Sequence, residues 1–270
     1  MQGLTETREQ NQKDSKEDQE LTREMLGQAQ WLAQTTHPTI APAVSMLASL
    51  VKDGTKGSQK ALKHLHRYIQ GQKARCLIKR KGNNEGLHVS SDASHADMYS
   101  ITNGDEKRSR TGIEVMYDGM PIDWRSQYQK CSGTEHNGDR ELIALSSGEA
   151  ETYAAADAAK LAMHFKYICD EIEIKAPERV PIVIDASAAE GFIKNTGKIG
   201  RMKHIDLREA WVTDLRDQGK LEFIRKSGPD NNADFFTKII TGSQLNAAED
   251  RLMGHLGESE KKSKEKEKLD

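Results

Sequence analysis

Three things are scarce in this sequence of 270 residues: cysteine, long apolar runs and net charge. Cys76, Cys131 and Cys169 are scattered with no CxxC pair, which excludes a disulfide framework and a cysteine-bound zinc and fits reduced thiols inside a cell. No apolar run approaches a membrane span and the N-terminus has no signal-peptide core, so a soluble intracellular chain with no membrane partner is predicted. A formal net charge of −2 leaves no global basic field, so any surface for nucleic acid must be local. Hydrophobic residues make up 36% and charged residues 30%, which predicts long solvated segments around a modest core. The length suits one good domain plus an appendage.

What is present centres on Ala144-Leu-Ser-Ser-Gly-Glu-Ala-Glu-Thr-Tyr-Ala-Ala-Ala-Asp-Ala-Ala-Lys160, an apolar strand end running into a long helix. Small or apolar residues at Ala150, Ala154, Ala158, Leu161, Phe165, Ile168 and Ile172 recur at steps of three and four, the stripe of a helix packed on something flat. Glu151 projects roughly 65° from the middle of that stripe and Glu149 roughly 135°. Glu151 therefore looks along the packed face, and Glu149 is expected to point mainly to water. A carboxylate at the edge of a buried face is costly unless a charge partner or a metal meets it.

Residues 1–20 are polar and charged and read as disordered or as a solvated helix. Residues 21–80 read as helical, with Pro38 and Pro42 in a turn between two helices. Ser58 is a candidate cap for a further helix carrying Leu62, Leu65 and Ile69 on one face. Its other face holds Lys60, Lys63, His64, His66 and Arg67, either a solvated face or one that contacts phosphates. From Leu87 the period changes. Leu87–Asp92 reads as a strand ending in an acid, and two strands flank an Asp118-Gly119 turn. Leu142–Leu145 leads into the central helix, and Pro181–Asp185 is a buried strand again finishing in an acid. A short helix through Phe192 and Ile193, a Gly/Lys loop, a helix from about His204 to Gln218 and a strand at Lys220–Arg225 follow. Asn231–Ile240 opens a last helix, and residues 243–270 read as a charged tail. The order implies a mixed sheet with helices on its faces, in a domain over residues 84–242.

Four acids stand where side chains converge: Asp92 and Asp185 at strand ends, Glu151 in the first turn of the central helix, and Asp234 at the start of the last. In open α/β sheets, sites form at the carboxyl ends of strands. Four packed carboxylates would repel by several kcal/mol unless hard divalent cations neutralised them. Mg²⁺ suits such a site, and two ions roughly 3.5–4 Å apart would serve in-line phosphodiester displacement. Acids at strand ends are also ordinary turn chemistry.

The run Ala144-Leu-Ser-Ser-Gly-Glu-Ala-Glu resembles the LSTAEAEY segment in the ribonuclease H domain of copia-type retrotransposon polyproteins. Ile184-Asp-Ala-Ser-Ala-Ala-Glu with Lys194-Asn is similar to that family's CDNQSAI…KN, and Ser91-Asp-Ala to SDAD. Lys203-His-Ile-Asp-Leu-Arg resembles KHIDIR, and Asn232-Ala-Asp-Phe-Phe-Thr-Lys resembles LADILTK. Upstream, Gln30–Ile40 and Lys63–Gly71 resemble the trailing segment of the family's reverse transcriptase, so the likeness covers about residues 25–240 in the family's order.

The resemblance implies an RNase H-like α/β fold, a mixed five-stranded sheet with helices on both faces, preceded by an N-terminal helical segment. It implies that Asp92, Glu151, Asp185 and Asp234 are the catalytic acids, holding two Mg²⁺ ions for which Mn²⁺ could substitute. Asp92 and Asp185 would bridge the ions, Glu151 would hold the one nearer the leaving group, and Asp234 the one activating water. The substrate implied is an RNA–DNA hybrid whose RNA strand is hydrolysed. The implied partner is the reverse transcriptase portion of the polyprotein, in the cytoplasm, a virus-like particle or the nucleus. Lys198, Arg201 and Lys203 would contact phosphates or lie in a solvated loop, and His204 would act near the scissile bond or cap its helix. Trp124, Gln127 and Tyr128 would pack near the DNA strand or in the core. The family's Trp after SDAD is His95 here, its second Asp is Ser94, the Tyr after the glutamate is Thr152, and the usual Asn is Ala186. About ten residues are inserted near Cys131–Arg140. A catalytically degenerate element that binds nucleic acid or protein without cleaving is the alternative.

Overall fold

The computed structural model describes residues 15–51, 54–72, 75–79, 85–95, 109–129, 144, 146–185, 203–238 and 242–255, with the side chains of 203–209, 229, 254 and 255 left aside. The chain divides into two compact units, one of residues 1–78 with 239–270 and one of residues 79–238. Among the described residues no helix is long and apolar enough to cross a membrane.

In the first unit, helix α1 (Lys16–Thr35) starts several residues earlier than the hydrophobic pattern suggested, because the Ser15 side chain caps it by accepting from Asp18 N–H at 3.1 Å. A 3-10 turn at Pro38–Ile40 leads to α2 (Ala41–Leu50), matching the expected Pro-containing turn between two helices. Helix α3 (Lys56–Gly71) is capped by Thr55 and not by Ser58, whose N–H is instead the donor to the Thr55 hydroxyl. Lys60, Lys63, His64 and Arg67 are exposed, while the His66 ring turns to the Met25 carbonyl at 3.0 Å and so leaves the basic face.

The region read as a charged tail contains helix α6 (Ser243–Leu252) and strand β7 (Met253–His255), which pairs antiparallel with β1 (Arg75–Leu77). A run dominated by Gln, Asn, Glu, Asp and Arg hides one buried stripe of Ala248, Glu249, Leu252 and Met253. Glu249, 2% exposed, accepts a short hydrogen bond from the Tyr68 hydroxyl, another from Gln72 Nε2 at 3.0 Å, and an ion pair from Arg75 at 3.2 Å. Those three donors compensate a carboxylate that burial and nearby Asp250 push above its usual range. The remainder of that tail, 256–270, lies outside the described residues.

The second unit is a mixed five-stranded sheet in the order β4-β3-β2-β5-β6. Strands β2 (Leu87–Ser94), β3 (Arg110–Tyr117) and β4 (Met120–Tyr128) form an antiparallel meander; β5 (Val180–Ile184) and β6 (Leu221–Arg225) add parallel to it. The β3–β4 turn has positive φ at both Asp118 (48°) and Gly119 (75°), the two-residue hairpin geometry that an Asp-Gly pair favours. Helix α4 (Ser147–Glu171) packs on one face, burying Ala155, Ala158, Ala159 and Ala162 against Leu87, Val89, Ile113, Val115, Ile182 and Ile184. The row of alanines lets the helix axis approach the β-branched sheet closely, and burial wraps wider than the single stripe read from spacing. That stripe fades at its far end, where Ile168 and Ile172 are exposed. Helix α5 (Lys203–Asp217) contributes Val212 and Leu215 to the same core.

Two differences bear on the site. Strand β2 continues to Ser94, so Asp92 lies inside the strand and not at its end. The segment read as a last helix is a 3-10 turn, Asn232–Phe236, laid on the opposite face of the sheet. The readings at Leu142–Leu145, at Cys131–Asp139 and through Phe192–Ile193 fall outside the described residues, Ala144 excepted.

Replacing Glu249 by alanine should lower the stability of the protein by about 3 kcal/mol in chemical denaturation, because it strips Arg75 and Tyr68 of a buried partner. A loss under about 0.5 kcal/mol, the level of a surface substitution, would mean that the cluster contributes little.

Candidate metal and nuclease site

The sheet faces alternate with period two, and β2 sets their assignment. Leu87 and Val89 point into the core beneath α4, so Asp92 points to the other face, opposite Gly112 on β3. In the parallel pair β2–β5, Val89 faces Ile182, and Asp92 and Asp185 each follow by three residues. The register thus brings the two acids level on neighbouring strands.

The third acid arrives from the 3-10 turn. Asn231, 2% exposed, donates from Nδ2 to the Ser91 carbonyl at 2.8 Å while its Oδ1 accepts from Ala233 N–H at 3.1 Å. This buried amide ties β2 to the start of the turn and sets Asp234 beside Asp92. The turn presses directly on β3: a Cβ added to Gly112 would lie 2.8 Å from the Ala233 carbonyl oxygen, 2.8 Å from Thr237 Cγ2 and 2.9 Å from Phe236 Cβ. Only glycine fits there. On β4 the Ser126 hydroxyl donates to the Phe236 carbonyl at 2.6 Å, and Arg110, almost fully buried, reaches Ser126 Oγ at 3.3 Å and Tyr128 Oη at 2.9 Å. Its guanidinium also lies 4.5 Å from the centre of the Tyr128 ring. Tyr128 and Trp124 are thereby core residues, and Gln127 is exposed.

Asp92 is 8% exposed, and its carboxyl is pushed up to about 6. Burial is the main cause; the charges of Asp234 and Asp185 add to it, while the Thr237 hydroxyl and the Lys238 ammonium oppose it. Thr237 Oγ1 donates a short hydrogen bond to Asp92 Oδ2, and Lys238 Nζ pairs with Asp234 Oδ1. Burial lowers Lys238, but its bond to Asp234 and the charges of Asp234, Asp92 and Asp185 outweigh that and raise it. Three of the four expected acids therefore act on one another and on one ammonium.

Glu151 is half-buried in α4. Its neighbour Ala150 packs with Tyr153, Ala144 and Ala93, the residue after Asp92, so the turn carrying Glu151 lies against the end of β2. Gln129 Nε2 donates to the Ala150 carbonyl at 2.8 Å, and His95, standing where the resembled family has Trp, bonds the Ala144 carbonyl at 2.9 Å. Glu149, expected to face water, is half-buried and accepts from the Tyr153 hydroxyl at 2.8 Å. Lys198 and Arg201 lie outside the described residues; Lys203 and His204 begin α5, their side chains outside the description.

Among the described residues no three His, Cys, Asp or Glu side chains are gathered tightly enough to hold a metal ion as they stand. The donor set nevertheless fits a hard divalent cation: oxygen only, carboxylate only, with one carboxyl raised by burial and by the two neighbouring aspartates. Sequence reasoning missed Gly112, Asn231, Thr237 and Lys238 as parts of the site. Thr237 and Lys238 stood in the sequence only as the last two residues of the segment resembling LADILTK, with no role attached to them.

The homologues of this chain are Pol polyproteins of copia-type retrotransposons, aligned over most of its length. The tobacco retrovirus-related Pol polyprotein from transposon TNT 1-94 is 28% identical over 230 residues, 85% of this chain and 16% of the relative. The Arabidopsis thaliana polyprotein from transposon RE1 is 30% identical over 226 residues, 81% of this chain and 14% of the relative. The chain thus spans about a seventh of the curated relatives it matches. No family model matches it. Among solved structures, it is similar to LC11-RNase H1 in complex with RNA/DNA hybrid, at 14% identity over 61% of this chain and 97% of that one, TM-score 0.37. It is also similar to the foamy viral protease-reverse transcriptase in complex with dsDNA, at 12% identity over 79% and 41%, TM-score 0.41.

The raised Asp92 carboxyl fixes a pH dependence. The native state holds that proton more tightly than the unfolded chain, so the penalty is full above about pH 6 and gone below the ordinary carboxylate range. EDTA-treated Asp92→Asn should be more stable than wild type by about 1–3 kcal/mol at pH 7, the difference vanishing toward pH 4. Urea titrations at the two pH values measure this, and an Asn variant less stable at pH 7 would contradict it. Gly112→Ala should cost about 1–3 kcal/mol in the same titration, since backbone and not a flexible tip blocks the added methyl.

Proposed function

We propose that this chain is a metal-dependent endoribonuclease of the ribonuclease H type, hydrolysing the RNA strand of RNA–DNA hybrids within a retrotransposon polyprotein. The observation that carries the reading is the convergence on buried Asp92 of two further aspartates, Asp185 and Asp234, from separate elements. Clustered acids of this kind are costly to fold and repay a chain only when something positive is to be bound. Homology to Pol polyproteins supplies the setting, in which a reverse transcriptase portion would make the hybrid.

Asp92, Asp185 and Asp234, with Glu151 from α4, are the residues that would hold Mg²⁺ or Mn²⁺. Divalent cations bound there would stabilise the negative charge on the attacking and leaving oxygens of a phosphodiester. The chain's own part is to present the acids at fixed spacing. The β2–β5 register levels Asp92 with Asp185, the Asn231 amide sets Asp234, and the Ala93–Ala150 packing brings up the turn of Glu151. Lys238 partly compensates the acids before a cation arrives. Lys198, Arg201, Lys203 and His204 would provide the local positive charge that a near-neutral chain needs to hold a phosphate backbone, contacts that position without reading sequence. Recognition of the hybrid would then rest on minor-groove shape and 2′-hydroxyls.

The same ion pair between Lys238 and Asp234 favours one rival, a relic that keeps the fold and binds nucleic acid without cleaving it. Labelled hybrid incubated with wild type and with Asp185→Asn, in Mg²⁺ and in EDTA, separates the two. Cleavage by wild type in Mg²⁺ alone is expected. Cleavage that survives Asp185→Asn would overturn the site assignment, and hybrid bound but uncut at every metal concentration would establish the relic.

A further inference from the structure

We infer that the Thr237 hydroxyl is a positioning group that sets the spacing of Asp92 and Asp234 for a divalent cation, by holding the side chain of the first against the backbone of the second. This rests on the nuclease reading of the acids above.

Thr237 is 2% exposed. Its Oγ1 donates to Asp92 Oδ2 and also lies 3.1 Å from the Asp234 carbonyl oxygen. One hydroxyl thus touches two of the acids, one on β2 and the other in the 3-10 turn. Its N–H bonds the same Asp234 carbonyl at 3.3 Å, so the residue is anchored to the turn before its side chain reaches the strand.

The side chain has little freedom. Threonine carries two heavy atoms on Cβ and is stiff at χ1. Its methyl occupies the space above Gly112, where an added Cβ would come within 2.8 Å of it. With the methyl lodged against β3, the hydroxyl is left facing Asp92, Gly112's partner in the strand register. The bond takes up one acceptor position of Oδ2 and hinders rotation of the carboxylate. Partners of this kind, which orient a ligand without touching the ion, typically contribute 10- to 100-fold in metal affinity or activity. Lys238 cannot substitute, since its ammonium sits on Asp234 and its side chain is more than half exposed.

Thr237→Val keeps the branched shape and the methyl contact and removes only the hydroxyl. Titration of the EDTA-stripped protein with Mn²⁺ should show affinity weakened roughly 10- to 100-fold in Thr237→Val, with kcat on hybrid falling by a similar factor and KM changing little. Thr237→Ser restores the hydroxyl without the methyl and should recover most of the Mn²⁺ affinity. Should the valine not fold, Thr237→Ser against Thr237→Ala compares hydroxyl with none in an equally reduced side chain. Valine binding Mn²⁺ like wild type, or serine as weak as valine or alanine, would overturn the inference. Wild type that binds Mn²⁺ yet leaves the hybrid uncut would sink the nuclease reading alone, the Mn²⁺ affinities still deciding the role of Thr237. Wild type that binds no Mn²⁺ would sink both.

Discussion

The burial of Asp92 is the constraint on which the second unit turns. A carboxylate inside a central strand, covered by another segment, is an expensive thing to fold, and most strands avoid it. Here the cost is tolerated because the covering segment brings its own donors: a hydroxyl from Thr237, an ammonium from Lys238 and, through Asn231, a backbone tie to Ser91. The same segment also carries Asp234, which adds to the repulsion. The cover both relieves and loads the buried charge. Burial and the neighbouring aspartates outweigh the donors, and the Asp92 carboxyl stays raised to about 6.

Glu249 in the first unit faces the same burial with a different outcome. Its carboxylate meets a guanidinium, a phenol and an amide, so its charge is answered within the fold. Asp92 instead meets the Thr237 hydroxyl and feels the Lys238 ammonium, with the charges of Asp234 and Asp185 set against it. The two acids differ in their partners far more than in their burial, since both are under a tenth exposed.

Much of this was legible in the chain. The Asp-Gly turn, the buried strand Val180–Ile184 and the alanine-rich helix follow from short-range rules, because dihedral preference and burial period are written locally. Asp92 and Asp185 were marked by position in their strands, and Glu151 by its angle on the helix. The failures share a cause. Asn231–Phe236 reads as a helix start because its capping residue and apolar spacing are those of one, yet it stops after a single 3-10 turn once Phe235 and Phe236 are buried. Residues 243–255 read as tail because their one apolar stripe is short and Glu249 interrupts it, and only the donors on α3 and β1 make that acid burial-competent.

The sequence by itself determined most of the elements, the alternation that sends Asp92 and Asp185 to one face, and the kinship with retrotransposon polyproteins. Tertiary structure alone decided that Gly112 must be glycine, that Thr237 holds Asp92, and that Glu149 turns to Tyr153. Periodicity reports which way a side chain leaves its own backbone, and that is a local quantity. What a side chain meets there depends on segments far along the chain, as Thr237 does on Asp92 across 145 residues. Such contacts leave no period in the sequence to read.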